Sequence, residues 1–154
     1  IMSKQIWGNI TWKLFHCFTI KINDDSNYNQ IQECIDIIKS ICRNLPCPIC
    51  SQDASVLLKQ VNTKLIKNKQ EFIHFVYVFH NKVNNKLKKP IFNKELIFQT
   101  YHSMSFHKVL NDFFRIYTNM KHNSNMMLYS FHRNLIVKVT REYLLKNRSL
   151  YGLN

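Results

Sequence analysis

The chain has 154 residues, with 45% hydrophobic and 20% charged residues, two glycines, three prolines and five cysteines. That length favours one domain, or one compact domain with an appended element, and the composition is that of a globular protein rather than a disordered one. Gly8 and Gly152 are too few to supply the turns of an all-β sandwich, so the expected fold class is all-α. The 22 basic and 9 acidic residues give a net charge of +13, spread evenly, with 13 basic and 6 acidic residues up to position 90 and 9 and 3 after it. Asn, Lys and Ile abound and Ala54 is the only alanine, a bias that A/T-rich coding produces, so part of the charge is composition and the rest reads as a solvated basic surface. No apolar run approaches the roughly 20 residues of a membrane-spanning helix. The first residues show neither a signal peptide nor a lipidation motif, so a cytosol-like compartment is expected. There, five cysteines point to redox or metal chemistry more than to structural disulfides.

Helical periodicity runs along most of the sequence. A first helix is expected over about residues 4–21, with Ile6, Trp7, Ile10, Leu14 and Phe18 on one stripe. Asn23-Asp24-Asp25-Ser26 breaks it. A second is expected from Tyr28 to Arg43, capped by Asn27 with Gln30 three residues on, and spacing Ile31, Ile35, Ile38 and Cys42 helically. Pro46 and Pro48 end that pattern, and a short third helix follows through Leu58. Asn68 and Glu71 form a capping box ahead of Phe72, Phe75/Val76, Phe79, Val83 and Leu87, a pattern that stops before Pro90. Two further helices are expected over about 94–118 and 126–146, separated by Asn123-Ser124-Asn125. The architecture read from this is a four-helix core with one or two helices packed on or beside it.

Three local features carry chemistry. Cys47-Pro48-Ile49-Cys50 sits between two helical patterns, where a cysteine pair can close a small disulfide ring at a helix start and the helix dipole lowers the thiolate pKa. Half a zinc site is the alternative, but no cysteine follows Cys50 and His74 and His80 are six apart, outside zinc-finger spacing. A thioredoxin-like site would need a βαβ pattern that is absent. The second feature is His80, Asn81, Asn84 and Lys88 at i, i+1, i+4 and i+8 beside the apolar stripe of the fourth helix, a polar face that is costly unless something polar lies against it. The third is Trp12 and His16, an aromatic and a histidine one turn apart.

Together the three resemble the Erv/ALR family of FAD-linked sulfhydryl oxidases. The family pattern of Trp-x-x-x-His, a CxxC after an aromatic-or-Leu-Pro step, and His-Asn-x-Val-Asn-x-x-Leu-x-Lys stands here as Trp12…His16, Leu45-Pro46-Cys47-Pro48-Ile49-Cys50 and His80-Asn81-Lys82-Val83-Asn84-Asn85-Lys86-Leu87-Lys88. The resemblance covers about residues 5–92 and is most like the short versions of large DNA viruses. It implies a four-helix bundle holding FAD, Cys47 as the sulfur attacked by a reduced substrate, Cys50 as the thiolate facing the flavin, and O2 as final acceptor giving H2O2. By position it assigns Trp12, His16, His80, Asn81, Val83, Asn84 and Lys88 to FAD contact, with Lys86 and Lys89 toward the phosphates. Three departures stand out: Phe75 where the family often has Trp, Asp53 where it often has His, and Asn93-Lys94 where many members carry a further structural cysteine. No second cysteine pair lies in a tail, so direct oxidation of a dithiol protein, such as a small thioredoxin-like viral protein, is expected. The family habit predicts a homodimer, and the viral likeness predicts a place in the host cytoplasm and the virion.

The division expected is a flavin-binding core over 1–92 and a helical extension over 93–154 that matches no motif. In that extension Leu96, Tyr101, Phe106, Leu110, Phe113/Phe114 and Tyr117, then Leu128, Phe131, Leu135, Val139 and Leu144, have core-type spacing, while His102, His107, His122 and His132 do not cluster as ligands. Cys34 and Cys42 are two helical turns apart, too far to bridge within one helix, and with Cys17 read as buried free thiols. The competing class is a basic helical module binding nucleic acid. It fits less well, because Lys and Arg scatter and the aromatics read as core.

Overall fold

The computed structural model describes residues 4–119 and 127–154, with the side chains of 127–130 outside that description. Seven α-helices follow one another: α1 (Lys4–Lys21), α2 (Tyr28–Arg43), α3 (Pro48–Lys59), α4 (Lys69–Lys86), α5 (Lys94–His102), α6 (Phe106–Thr118) and α7 (Met127–Lys146). Short 3-10 turns at Thr63–Leu65 and Arg148–Tyr151 complete the order, and there is no strand among the described residues. The all-α expectation holds. The Asn123-Ser124-Asn125 break, His122 and the side chain of Leu128 lie outside the described residues.

Local sequence sets most boundaries. Asn27 accepts from the Gln30 N–H and Gln30 Oε1 accepts from the Asn27 N–H, both at 2.9 Å, so two orphan donors at the start of α2 are satisfied reciprocally. At α4, Asn68 accepts from the Glu71 N–H, but the Glu71 carboxylate reaches one residue further back, to the N–H of Lys67. The expected single helix over 94–118 is two helices. The chain breaks at Ser103–Ser105, where the Ser105 hydroxyl caps α6 by accepting from the Lys108 N–H, an ordinary helix-start use of serine. Two appended helices therefore become three.

α1 is the central helix. α4, α5 and α6 pack against it, so residues all round it are buried, including Trp7, Thr11, Phe15, His16 and Cys17 as well as Ile10, Leu14 and Phe18. Ile6, expected on the buried stripe, is 48% exposed, because it precedes the point where the neighbouring helices close round α1. α3 lies against both α2 and α4, while α6 and α7 contact each other and cover α1 and α2 respectively. Phe18 meets Phe106 of α6, Tyr143 of α7 and Tyr151 of the last turn. Polar bonds follow the same seam: Thr11 Oγ1 lies 2.6 Å from Tyr117 Oη, and the Tyr151 hydroxyl donates to Cys34 Sγ at 3.1 Å. One hydrophobic core thus runs through residues before and after 92.

In α7 the buried stripe is Ile136, Val137, Thr140, Tyr143 and Leu144. Leu135 and Val139 are only half-buried and Phe131 is exposed, so the face is turned by about one residue from the expectation. Apolar residues surround most of this helix, and spacing alone does not select the side that α2 and α6 cover. Leu96 is likewise on the outer side of α5. No helix among the described residues is long and apolar enough to cross a membrane.

Candidate functional site

Cys47 and Cys50 stand at the start of α3 and form a disulfide with Cα atoms 5.2 Å apart. Cys47 is the N-cap, its Sγ accepting from the Cys50 N–H at 3.2 Å, and Pro48 occupies the first helical position, where a missing N–H costs nothing. The approach to the motif is pinned by the Leu45 N–H donating to the Ser51 hydroxyl at 2.8 Å. Both sulfurs are half-buried and lie in the first turn, where unpaired N–H groups and the dipole stabilise a thiolate.

Behind Cys50 opens a narrow cleft of about 110 Å3, smaller than the roughly 300–1,000 Å3 of ligand pockets. Its walls are mainly apolar, from Trp12, Phe15, Leu57, Phe79 and Val83, and lysines 4, 86 and 89 stand at its edge. The Lys86 ammonium pairs with the Asp53 carboxylate at 2.8 Å, so the Asp at the position where the family often has His bridges α3 to the end of α4. Of the residues assigned by resemblance, Cys50, Trp12, Val83, Lys86 and Lys89 share this cleft.

His16 and His80 lie to one side of Trp12. The His80 ring stacks on Trp12 with centroids 4.0 Å apart and planes 10° apart, and its Nδ1 is 2.8 Å from His16 Nε2. His16 in turn stacks on Tyr101 of α5 at 4.6 Å. Burial, with the neighbouring His80 adding to it, drives the His16 pKa down to about 3, and burial with the Lys89 charge lowers His80 to about 4. Both rings are neutral at pH 7, so one donates and the other accepts in the bond between them. The buried Nδ1 of His16 has no hydrogen-bond partner among the described residues.

Asn81 has a different task from the one its position suggests. Its Oδ1 accepts from the Phe92 N–H at 2.8 Å and its Nδ2 donates to the Phe92 carbonyl at 3.1 Å, clamping the segment after Pro90 against α4. Asn84 is buried beside it, donating weakly to Asn81 Oδ1 at 3.5 Å. Lys88 is not on the helical face with them. α4 ends at Lys86, and the Lys88 N–H donates to the Asn85 carbonyl and the Lys89 N–H to the Asn84 carbonyl, a Schellman closure that puts Lys88 at φ +56°. Lys88 is exposed there, and the neighbouring Lys89 borders the cleft instead.

Phe75 is buried and stacked on Phe79, retaining a ring where an indole is common. Cys17, Cys34 and Cys42 are buried and free; burial raises the first thiol to about 11 and the other two to about 12, which leaves them inert at neutral pH. Tyr101, Phe92 and Asp53 each act on an assigned residue from a distant stretch of chain, and only Asp53 carried any signal in sequence.

A helical bundle with a disulfide at the N-terminus of one helix, Cys50 bordering an aromatic-walled cleft lined also by lysines, is an arrangement that thiol–disulfide redox proteins use. The match of residues 9–103 to the model of the Erv1 / Alr family agrees, and the chain belongs to that family. It is 32% identical over 85 residues to the FAD-linked sulfhydryl oxidase of African swine fever virus (isolate Pig/Kenya/KEN-50/1950), covering 55% of this chain and 71% of the relative. A rice FAD-linked sulfhydryl oxidase is 30% identical over 91 residues, covering 59% of this chain and 46% of that protein. The mitochondrial FAD-linked sulfhydryl oxidase of Schizosaccharomyces pombe is 23% identical over 87 residues, 56% of this chain and 48% of its own length.

Proposed function

We propose that this chain is an FAD-dependent thiol oxidase that forms disulfides in a dithiol protein through Cys47 and Cys50. The observation that carries the reading is the placement of the pair: Cys50 borders the cleft with Trp12, Val83 and Lys86, while Cys47 caps the helix beside it.

A substrate thiolate attacks Cys47 Sγ, the Cys47–Cys50 bond breaks, and Cys50 leaves as a thiolate held in the first turn of α3. The second substrate thiol loses its proton and attacks the mixed disulfide, releasing Cys47 as a thiolate. The substrate dithiol has then become a disulfide, and its two electrons reside on the Cys47/Cys50 pair. When bound, FAD supplies the acceptor that returns this pair to the disulfide and passes the electrons to O2, giving H2O2.

The cleft suits that group. Its aromatic and aliphatic walls match a flat ring system, and Lys86 and Lys89 match a diphosphate. Trp12, His16, His80, Val83 and Asn84 would hold the ring end, with Lys86, Lys88 and Lys89 toward the phosphates and Asn81 acting through the Phe92 segment it clamps. The same reading carries a homodimer, which light scattering at micromolar concentration tests, and a place in the host cytoplasm and virion of a large DNA virus.

The experiment is a visible spectrum of the purified protein before and after anaerobic dithiothreitol. A flavin band that bleaches with dithiol and returns with air is expected. Cys50→Ala should keep the band and abolish both bleaching and turnover; a colourless wild-type protein, or full turnover by the variant, overturns the assignment.

A further inference from the structure

α7 is tied to the end of α2, three residues ahead of the dithiol. His132 Nδ1 is hydrogen-bonded to the side-chain carbonyl of Asn44, the buried C-cap of α2, three residues before Cys47. The Phe131 ring sits 5.9 Å from the His132 ring and points away from the core, 63% exposed. Within the motif, Ile49 is 70% exposed and Pro48 is exposed too. Large apolar side chains this open in and near a reactive disulfide are what a docking surface presents. The three residues from Asn44 to Cys47 span at most about 11 Å. A typical footprint of about 800 Å2 per partner is some 30 Å across, so a partner centred on Cys47 covers Ile49 and reaches about 15 Å toward the end of α2 and the α7 turn bound to it.

Charge narrows that partner. Arg43 is exposed at the end of α2 and Lys138 on α7, the carboxylate of Asp53 is already paired with Lys86, and the whole chain carries +13. An acidic protein is drawn to this face and a basic one is repelled. We infer that Phe131, anchored at the end of α2 through the His132–Asn44 bond, is a specificity-determining contact for an acidic dithiol protein that carries an apolar side chain next to its cysteine. The inference rests on the thiol oxidase reading and gives α7 a part in it: it selects the protein that reaches Cys47 and takes no part in the exchange itself.

The test compares two dithiols, reduced bacterial thioredoxin (a small acidic protein with a tryptophan beside its cysteine pair) and dithiothreitol, with oxygen consumption as readout. Phe131→Glu should lower kcat/KM for reduced thioredoxin about tenfold, the loss expected for an interface anchor. Phe131→Leu should restore most of it, and all three proteins should oxidise dithiothreitol alike and keep the same flavin content. Added salt should slow the thioredoxin reaction and spare the dithiothreitol reaction. An unchanged thioredoxin rate in Phe131→Glu, an equal fall for both dithiols, or a wild-type enzyme that oxidises dithiothreitol and refuses thioredoxin each overturns the docking role. Failure with both dithiols in the wild type instead removes the oxidase reading beneath it.

Discussion

The paired histidines make a quantitative prediction about acid stability. His16 is 1% exposed, and its folded pKa is about 3 against about 6.5 in a free chain, because burial and His80 disfavour its cation. A histidine held neutral contributes fully above its unfolded pKa, and its contribution is lost as pH falls toward the folded value, because the unfolded chain binds the proton first. Between pH 7 and pH 5 the linkage integral for His16 alone comes to about 2 kcal/mol, and any folded pKa below about 4 gives nearly the same figure. His16→Phe keeps an aromatic ring against Tyr101 and removes the titration. His80 keeps its own shift, since its causes are burial and Lys89. The assay is urea unfolding followed by helical circular dichroism at the two pH values. Wild type should lose about 2 kcal/mol more than His16→Phe on going from pH 7 to pH 5. That difference is read between pH values, so the cost of the substitution itself cancels. Equal losses in the two proteins would refute a neutral, buried His16.

Other substitutions probe the remaining parts. His80→Ala removes the ring stacked on Trp12 and should lower the flavin-to-protein ratio after gel filtration; an unchanged ratio shows that the contact is misassigned. Lys88→Gly relieves a left-handed backbone at the end of α4 worth about 1 kcal/mol, and should raise the melting temperature of the flavin-stripped protein by about 2–4 °C. A lower melting temperature contradicts the Schellman closure. Phe113→Ala, at a fully buried position on α6, should cost about 3–5 kcal/mol and lower one cooperative transition of the whole chain. A separate minor transition, with the main one unmoved, would show that α6 does not share the core.

Helix starts and stops were legible because their signals are local. Asn27 with Gln30 and Asn68 with Glu71 satisfy backbone donors within one turn, so they act the same way wherever the helix lies. The CxxC motif carried its own geometry for the same reason, since Cys47, Pro48 and Cys50 build the cap, first turn and disulfide of α3 among themselves. The break at Ser103–Ser105 was missed, as the apolar spacing continues across it and only packing of α5 and α6 on α1 from different sides shows where it falls. The buried face of α7 was also misjudged, because a helix apolar on most sides has its inner face chosen by its neighbours.

What the sequence determined by itself is therefore the class of fold, most helix starts and stops, and the local geometry of the CxxC turn, all carried by interactions spanning a few positions. Tertiary structure decided which of the chemistry-bearing residues meet. It put Cys50 in one cleft with Trp12 and Val83, set His16 between His80 and Tyr101, paired Asp53 with Lys86, gave Asn81 to the Phe92 backbone and brought His132 to Asn44. These contacts join segments 11 to 88 residues apart. They depend on how the helices pack, and for the buried ones packing orients the partners and excludes the water that would otherwise satisfy them.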